Sequence, residues 1–271
     1  MRITFIGGGN MASALIGGLL AGRLGPGDIR VVDPSEPQRT VLARRFGVGV
    51  FASADAAVPG SDVTVLSVKP QQMREAATAI APLVGAQLVI SVAAGIRATD
   101  LSRWLNGHAR LVRAMPNTPA LVGKGISGVY APSTVDESGR ALAAAVLDAV
   151  GDQVWVDTEA MLDAVTGVSG SGPAYVFYFL EALEEAARDL GFSAHDARRL
   201  AYATFAGAVA LAQASPEAPA VLRAQVTSRG GTTERALATM DADAVKAKIV
   251  AAVKAAVVRA GELGDVFGKD T

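Results

Sequence analysis

Arg2-Ile3-Thr4-Phe5-Ile6-Gly7-Gly8-Gly9-Asn10-Met11-Ala12 opens with five strand-type residues that run straight into a glycine turn, and the turn opens a helix-type segment. Residues 7–12 fit Gly-x-Gly-x-x-Gly/Ala. In that pattern Gly7 permits the tight turn, Gly9 lets the backbone approach a pyrophosphate with no side chain in the way, and small Ala12 lets helix and strand pack closely. The N–H groups of Asn10 and Met11 lie at the positive end of the helix and face the phosphates. The motif therefore calls for an anionic dinucleotide.

Outward from this turn, the first half alternates short β-type runs with helical stretches. Strand segments at 29–32, 62–68, 87–92 and 110–114 are each bounded by turn residues: Gly25-Pro26-Gly27 before the first of these, Lys69-Pro70, Gly95 and Met115-Pro116 after the others. Helical stretches at 10–22, 37–46, 71–83 and 98–105 lie between the strands. Each is long enough for a crossover helix, so the pattern is repeated βαβ and predicts a mostly parallel sheet. Later strands at 125–130 and 153–157 flank a helix at 135–150.

Beyond about residue 160 only helix signals remain, at 173–191, 194–214, 219–226, 232–240 and 242–263. Pro173 suits a first turn and Gly191 a stop. Tyr175-Val176-Phe177-Tyr178-Phe179-Leu180 and 200–214 are apolar around nearly the whole helix. A domain of about 110 residues cannot bury such helices alone, which argues for burial against a second copy. The expected fold class is α/β: a Rossmann-type, mostly parallel sheet domain over residues 1–158, then an all-α dimerisation and substrate domain over 159–271.

Composition narrows the function. The 271 residues are 51% hydrophobic and 19% charged, with 25 Lys+Arg against 26 Asp+Glu, which describes an ordinary globular protein with no field for nucleic acid or an anionic membrane. There is no Cys, so disulfides, thiolate nucleophiles and Cys-ligated metals are excluded. With only His108 and His195 present, a His-based metal site or Ser-His-Asp relay is disfavoured. No apolar run reaches the ~18 residues that cross a bilayer. The expectation is a cytoplasmic protein with a small-molecule substrate and no metal.

Asp33 ends the second strand. A carboxylate there would accept from the adenosine ribose 2′-hydroxyl and repel a 2′-phosphate, favouring NADH. Ser35 and Arg39 lie just downstream and could grip that phosphate if the loop turned Asp33 away, favouring NADPH. A plain turn residue before Pro34 is the third option. Three more segments stand at strand or helix ends, where open α/β sheets place ligands: Val68-Lys69-Pro70, Arg113 to Pro119, and Ser169 to Tyr175. A fourth, Thr227-Ser228-Arg229-Gly230-Gly231-Thr232-Thr233, ends at a helix start, where backbone amides can cradle a smaller anion such as a carboxylate.

Together these segments, with Gly7-Gly8-Gly9-Asn10-Met11, Val68-Lys69-Pro70-Gln71, Ala93-Ala94-Gly95 and Val168 to Tyr175, resemble the pyrroline-5-carboxylate reductase family over essentially the whole chain. The resemblance implies hydride transfer from NADPH or NADH to the C=N carbon of pyrroline-5-carboxylate, giving L-proline. It implies a helical domain interlocked with its twofold mate, and an active site at the junction of the domains. Ser228 and the amides around Gly230, Gly231 and Thr232 would bind the substrate carboxylate, and the Thr233 hydroxyl would serve the ring nitrogen. Met115-Pro116-Asn117 and Ala93-Ala94-Gly95 would line the nicotinamide, with Lys69-Pro70 beside its ribose. Arg229 stands where the family commonly has Pro, and Asp33 is a carboxylate many relatives lack.

Two rivals accompany this reading. Another Rossmann imine or β-hydroxyacid reductase would use a Lys or Asp acid on the interdomain helix, where this chain offers Ser169, Ser171 and Tyr175. A non-catalytic dinucleotide sensor would have a defective second site, whereas 228–233 is nearly complete. Trp104 and Trp155 read as core or edge packing, His108 as an exposed turn residue, and Glu181, Glu184 and Glu185 as a solvated helix face.

Overall fold

The structure, a computed structural model, describes residues 1–22 and 24–268. Its chain divides into two compact units, 1–171 with the chain end from Ala255, and Gly172–Lys254; the second of their two boundaries falls inside the last helix.

The first unit is built on one eight-stranded sheet in the order β3-β2-β1-β4-β5-β6-β7-β8. Its strands are β1 (Ile3–Ile6), β2 (Ile29–Val32), β3 (Gly49–Phe51), β4 (Val63–Leu66), β5 (Leu88–Ser91), β6 (Leu111–Met115), β7 (Gly125–Tyr130) and β8 (Gly151–Trp155). The first six run parallel, β7 is antiparallel to β6, and β8 is parallel to β7. A short turn at Thr118–Val122 joins β6 to β7, too short for a crossover, and so reverses the chain. Every residue of β1, β4 and β5 is buried, as expected of parallel strands covered on both faces.

Side-chain alternation sorts the sheet between two helical layers. Ile3, Phe5, Val31, Val65 and Ile90 join a core with α1 (Asn10–Ala21), α2 (Glu36–Phe46) and α5 (Glu137–Leu147). Ile6, Val32, Leu66 and Val89 join the opposite core with α3 (Met73–Ile80) and α4 (Ala98–Trp104). Trp104 is buried in that second core. Trp155 lies on the edge strand under the Arg140 guanidinium, so each tryptophan has the packing role its sequence context indicated.

Three local features depart from the sequence expectations. Strand β3 was not foreseen, because three residues after the Phe46–Gly47 helix end carry too little alternation to read. The helix α6 (Met161–Val165) and the π-turn Thr166–Gly170 behind it fall where no element was expected. His108 is half-buried, with a ring nitrogen 3.1 Å from the Arg110 carbonyl, rather than exposed; burial lowers its pKa.

The second unit contains α7 (Gly172–Asp189), α8 (Ala194–Ala214), α9 (Pro219–Gln225), α10 (Thr232–Ala242) and the first part of α11 (Val245–Phe267). Ala244, at φ 53°, breaks the chain between α10 and α11; α10 runs two residues further and α11 begins three residues later than the sequence indicates. Among its described residues the buried apolar ones are Ala187, Ala197 and Ala201. Phe177 is 59%, Tyr178 72% and Leu190 80% exposed, far more apolar surface than a lone helical unit leaves to water. Ser193 starts α8: its hydroxyl accepts from the Asp196 amide at 3.1 Å and donates to the Asp196 carboxylate at 2.9 Å. Replacing this cap, Ser193→Ala, should cost about 1 kcal/mol in a urea titration; a loss below ~0.3 kcal/mol would show that the cap is redundant.

Candidate active site

Strand register aligns the residues expected to hold a dinucleotide. Ile6 pairs with Val32 on one side and Leu66 on the other, Leu66 with Ser91, and Ser91 with Arg113. The segments that follow, at Gly7, Asp33, Val68, Ala93 and Met115, therefore leave the sheet along one carboxyl edge. The order reverses between β1 and β4, the switch point at which such sheets bind ligands.

At that point the glycine turn is built by backbone constraints. Gly7 adopts φ +94°, and a Cβ on it would lie 2.8 Å from a Val68 methyl. The Ser67 hydroxyl donates to the Ile6 and Gly7 carbonyls at 3.1 and 2.8 Å. Gly8 is held at both ends: its N–H donates to Asp33 Oδ2 at 2.8 Å, and its carbonyl accepts from Gln38 Nε2. Gly9 differs from both. It caps α1 in extended backbone with no side-chain cap, and a Cβ on it would meet nothing within 4 Å. The turn thus presents an open concavity before the first amides of α1, the shape and polarity a pyrophosphate requires.

Asp33 is half-buried, and its second oxygen accepts from the Ser35 amide at 2.9 Å. The Ser35 hydroxyl caps α2 by accepting from the Gln38 amide, and Arg39 Nη1 donates to the Asp33 and Pro34 carbonyls at 2.7 and 2.8 Å. All three residues are therefore tied into the loop that follows β2. Gln38, which the sequence reading missed, completes the ring; only its place one turn into α2 hints at the role.

After β5, Gly95 adopts φ +72° against Phe267 and Leu263 of α11. Arg97 bonds Asp265 at 2.7 Å. Glu159 accepts from the Ala98 amide at 2.6 Å and from buried Arg113 at 2.7 Å. The 93–97 loop is thereby fastened to β6 and to the chain end. Nearby Asp163 has its pKa raised by burial, with Arg113 and Arg97 opposing. Asn117 is buried with its amide spent inside, donating to the Ser169 carbonyl at 3.1 Å and accepting from the Ile126 amide at 2.9 Å. It holds the π-turn against β7, while Met115 lies against Gly170. Val68 and Pro70 are half-buried and Lys69 exposed at the end of β4, while Ala93 is buried.

The second unit carries the Ser228–Thr233 segment. Gly231 N–H donates to the Ser228 carbonyl at 3.0 Å, closing a turn across Arg229 and Gly230, and Gly231 then caps α10 with no side chain over its first amides. Thr232 is exposed and Thr233 half-buried. The Gly230 amide donates to Glu234 Oε2 at 2.6 Å, so two of the backbone amides in this segment are engaged within it, and the uncapped first turn of α10 faces outward.

Two family profiles match the chain. A family profile described as pyrroline-5-carboxylate reductase dimerisation matches residues 159–263, and one described as NADP oxidoreductase, coenzyme F420-dependent, matches 2–95. A pyrroline-5-carboxylate reductase of Pseudomonas aeruginosa is 45% identical over 269 residues, covering 99% of this chain and 98% of its own. The solved pyrroline-5-carboxylate reductase of Coxiella burnetii superposes with a TM-score of 0.91 at 38% identity, covering 97% of this chain and 98% of its own. That of Plasmodium falciparum, solved with NADP bound, gives 0.88 at 26% identity with the same coverage. The likeness extends from the glycine turn to the last helix, and this chain belongs to the pyrroline-5-carboxylate reductase family.

Proposed function

We propose that this chain reduces pyrroline-5-carboxylate to L-proline with NADPH or NADH, the last step of proline formation, in the cytoplasm. The observation that carries the reading is that a full-length match to this family retains both anion-binding turns, the one at 7–12 and the one at 228–233. The open space at Gly9 fits a dinucleotide, since it is the volume a side chain would otherwise fill.

In this assignment Gly7, Gly9, Asn10 and Met11 hold the pyrophosphate, and Asp33, Ser35 and Arg39 surround the adenosine ribose. Val68, Lys69 and Pro70 lie by the nicotinamide ribose, and Ala93, Ala94, Gly95, Met115, Pro116 and Asn117 form the wall for its ring. When bound, the reduced nicotinamide supplies the hydride. Ser228 and the Thr232 amide take the substrate carboxylate, with Gly230 and Gly231 shaping the turn because their own amides are engaged by Glu234 and the Ser228 carbonyl, and Thr233 is the catalytic residue, its hydroxyl meeting the ring nitrogen. A cyclic imine is basic enough to arrive as an iminium, so it brings its own proton; the hydride pair forms the new C–H bond and the C=N π pair returns to nitrogen. No strong acid is required, and positioning in a dry site is the main catalytic contribution.

The helical unit supports self-association as a dimer or a dimer-based oligomer. It leaves an apolar groove of about 360 Å³, lined by Tyr175, Tyr178, Phe179, Val245, Ile249 and Val253, and the matching family profile is a dimerisation one. Among the described residues no helix is long and apolar enough to cross a membrane.

Purified protein should oxidise NADPH or NADH with pyrroline-5-carboxylate and be inert with 2-keto and 3-keto acids. Preference for a keto acid would favour the β-hydroxyacid reductase rival, and inactivity with every substrate the sensor. Asp33→Ser should raise the NADPH-to-NADH ratio of kcat/KM about tenfold, because it removes the carboxylate that repels a 2′-phosphate. Both dinucleotides should also bind more weakly, because Gly8 loses its acceptor. An unchanged ratio would make Asp33 a brace for the glycine turn alone.

A further inference from the structure

The Ser228–Gly231 turn has a feature that its assigned role does not explain. Its hydrogen bond closes from the Gly231 amide to the Ser228 carbonyl. Gly230 adopts φ +72°, and Arg229 is not among the residues of positive φ. Negative φ at the second position with positive φ at the third defines a type II turn. The second position of such a turn is where Pro is favoured, because its ring fixes φ near the required value. Here Arg229 occupies it, and its backbone has no such restraint. The turn is also exposed, with Ser228, Arg229 and Gly230 all open to solvent, so packing does not hold it.

The restraint comes from the first turn of α10. Glu234 reaches back four residues, and its carboxylate accepts from the Gly230 amide at 2.6 Å. This charge-assisted bond grips the one residue whose left-handed backbone defines the turn. Gly231 lies so close to the Ser228 side chain that a Cβ would stand 2.5 Å from Ser228 Oγ, so the turn sets the Ser228 hydroxyl directly beside the residue that caps α10.

We propose that Glu234 is the positioning residue of the substrate-carboxylate turn, tethering Gly230 so that Ser228 and the first amides of α10 are held ready, in place of the restraint a proline at 229 would give. The proposal rests on the assignment of 228–233 to the substrate. Glu234 touches neither ligand in this account; it acts through Gly230.

The test is a four-variant cycle on the full chain: wild type, Glu234→Ala, Arg229→Pro and the double variant. Glu234→Ala should raise KM for pyrroline-5-carboxylate about three- to tenfold, the effect of one exposed hydrogen bond, while KM for the dinucleotide stays within twofold. Arg229→Pro in the Glu234→Ala background should return the substrate KM to within twofold of wild type, and Glu234→Gln, which keeps an acceptor, should lose less than Glu234→Ala. A plain helix-capping role would lower the thermal midpoint without moving the substrate KM and would not be rescued by Pro at 229; either result overturns the proposal. Amide exchange at Gly230, read by NMR, should speed up in Glu234→Ala whatever the substrate is. Unchanged exchange there removes the tether itself, whereas absence of activity in wild type removes only the functional assignment.

Discussion

Gly9→Ala folds with a stability loss of no more than about 1 kcal/mol and loses dinucleotide affinity by about 100-fold. The two effects separate because Gly9 sits in extended backbone that any residue adopts, with no atom within 4 Å of where a Cβ would go. Nothing in the protein resists the methyl; only the ligand does. Gly7→Ala is the contrast within the same motif. Its φ of +94° and its approach to Val68 make a side chain strained in the folded chain itself, by about 1–3 kcal/mol, so stability and binding fall together. Thermal melts with dinucleotide fluorescence titrations check both. A Gly9→Ala protein that binds the dinucleotide within threefold of wild type would move the pyrophosphate away from the turn.

Thr233→Ala should lower kcat with pyrroline-5-carboxylate about 10- to 100-fold, the range for removing one hydrogen-bonding group at a reacting centre, with dinucleotide KM nearly unchanged. Thr233 is the second residue of α10, half-buried, in a helix whose start no side chain caps. Its hydroxyl is thus carried by a regular helix rather than a loop, which suits a group that must orient one ring nitrogen. Thr233→Ser should retain most of the activity. A large loss of dinucleotide affinity in Thr233→Ala would take this residue out of the substrate site.

The fold was legible because its signals are local. Short strands rich in Ile, Val, Leu and Phe stand out between turn residues, and Ile29–Val32 and Gly125–Tyr130 emerge with the ends the sequence gives them. So does α8, between the Ser193 cap and Ser215. The reversal at β7 was not marked in any single segment, since it follows from the short connection at Thr118–Val122. The glycine turn was legible for the same reason as the strands: the demands on Gly7 and Gly9 are met within a few residues. Gln38, Glu159 and Glu234 were not, because each is an ordinary polar helix or loop residue until the fold brings it to a backbone atom. Gln38 meets Gly8 across 30 positions and Glu159 meets Ala98 across 61. Glu234 is only four positions from Gly230, yet its role depends on a turn conformation that Arg229 does not announce.

The central claim is that a hydride passes from a nicotinamide to the C=N carbon of pyrroline-5-carboxylate on this chain. It is tested most directly by supplying dinucleotide deuterated at the transferable position of the nicotinamide and examining the proline formed by mass spectrometry and NMR. One deuterium on the ring carbon that was doubly bonded to nitrogen, in stoichiometric yield with oxidised dinucleotide, is the predicted result. Dinucleotide oxidation that leaves no deuterium in proline, or labelled product only from a keto acid, would contradict it.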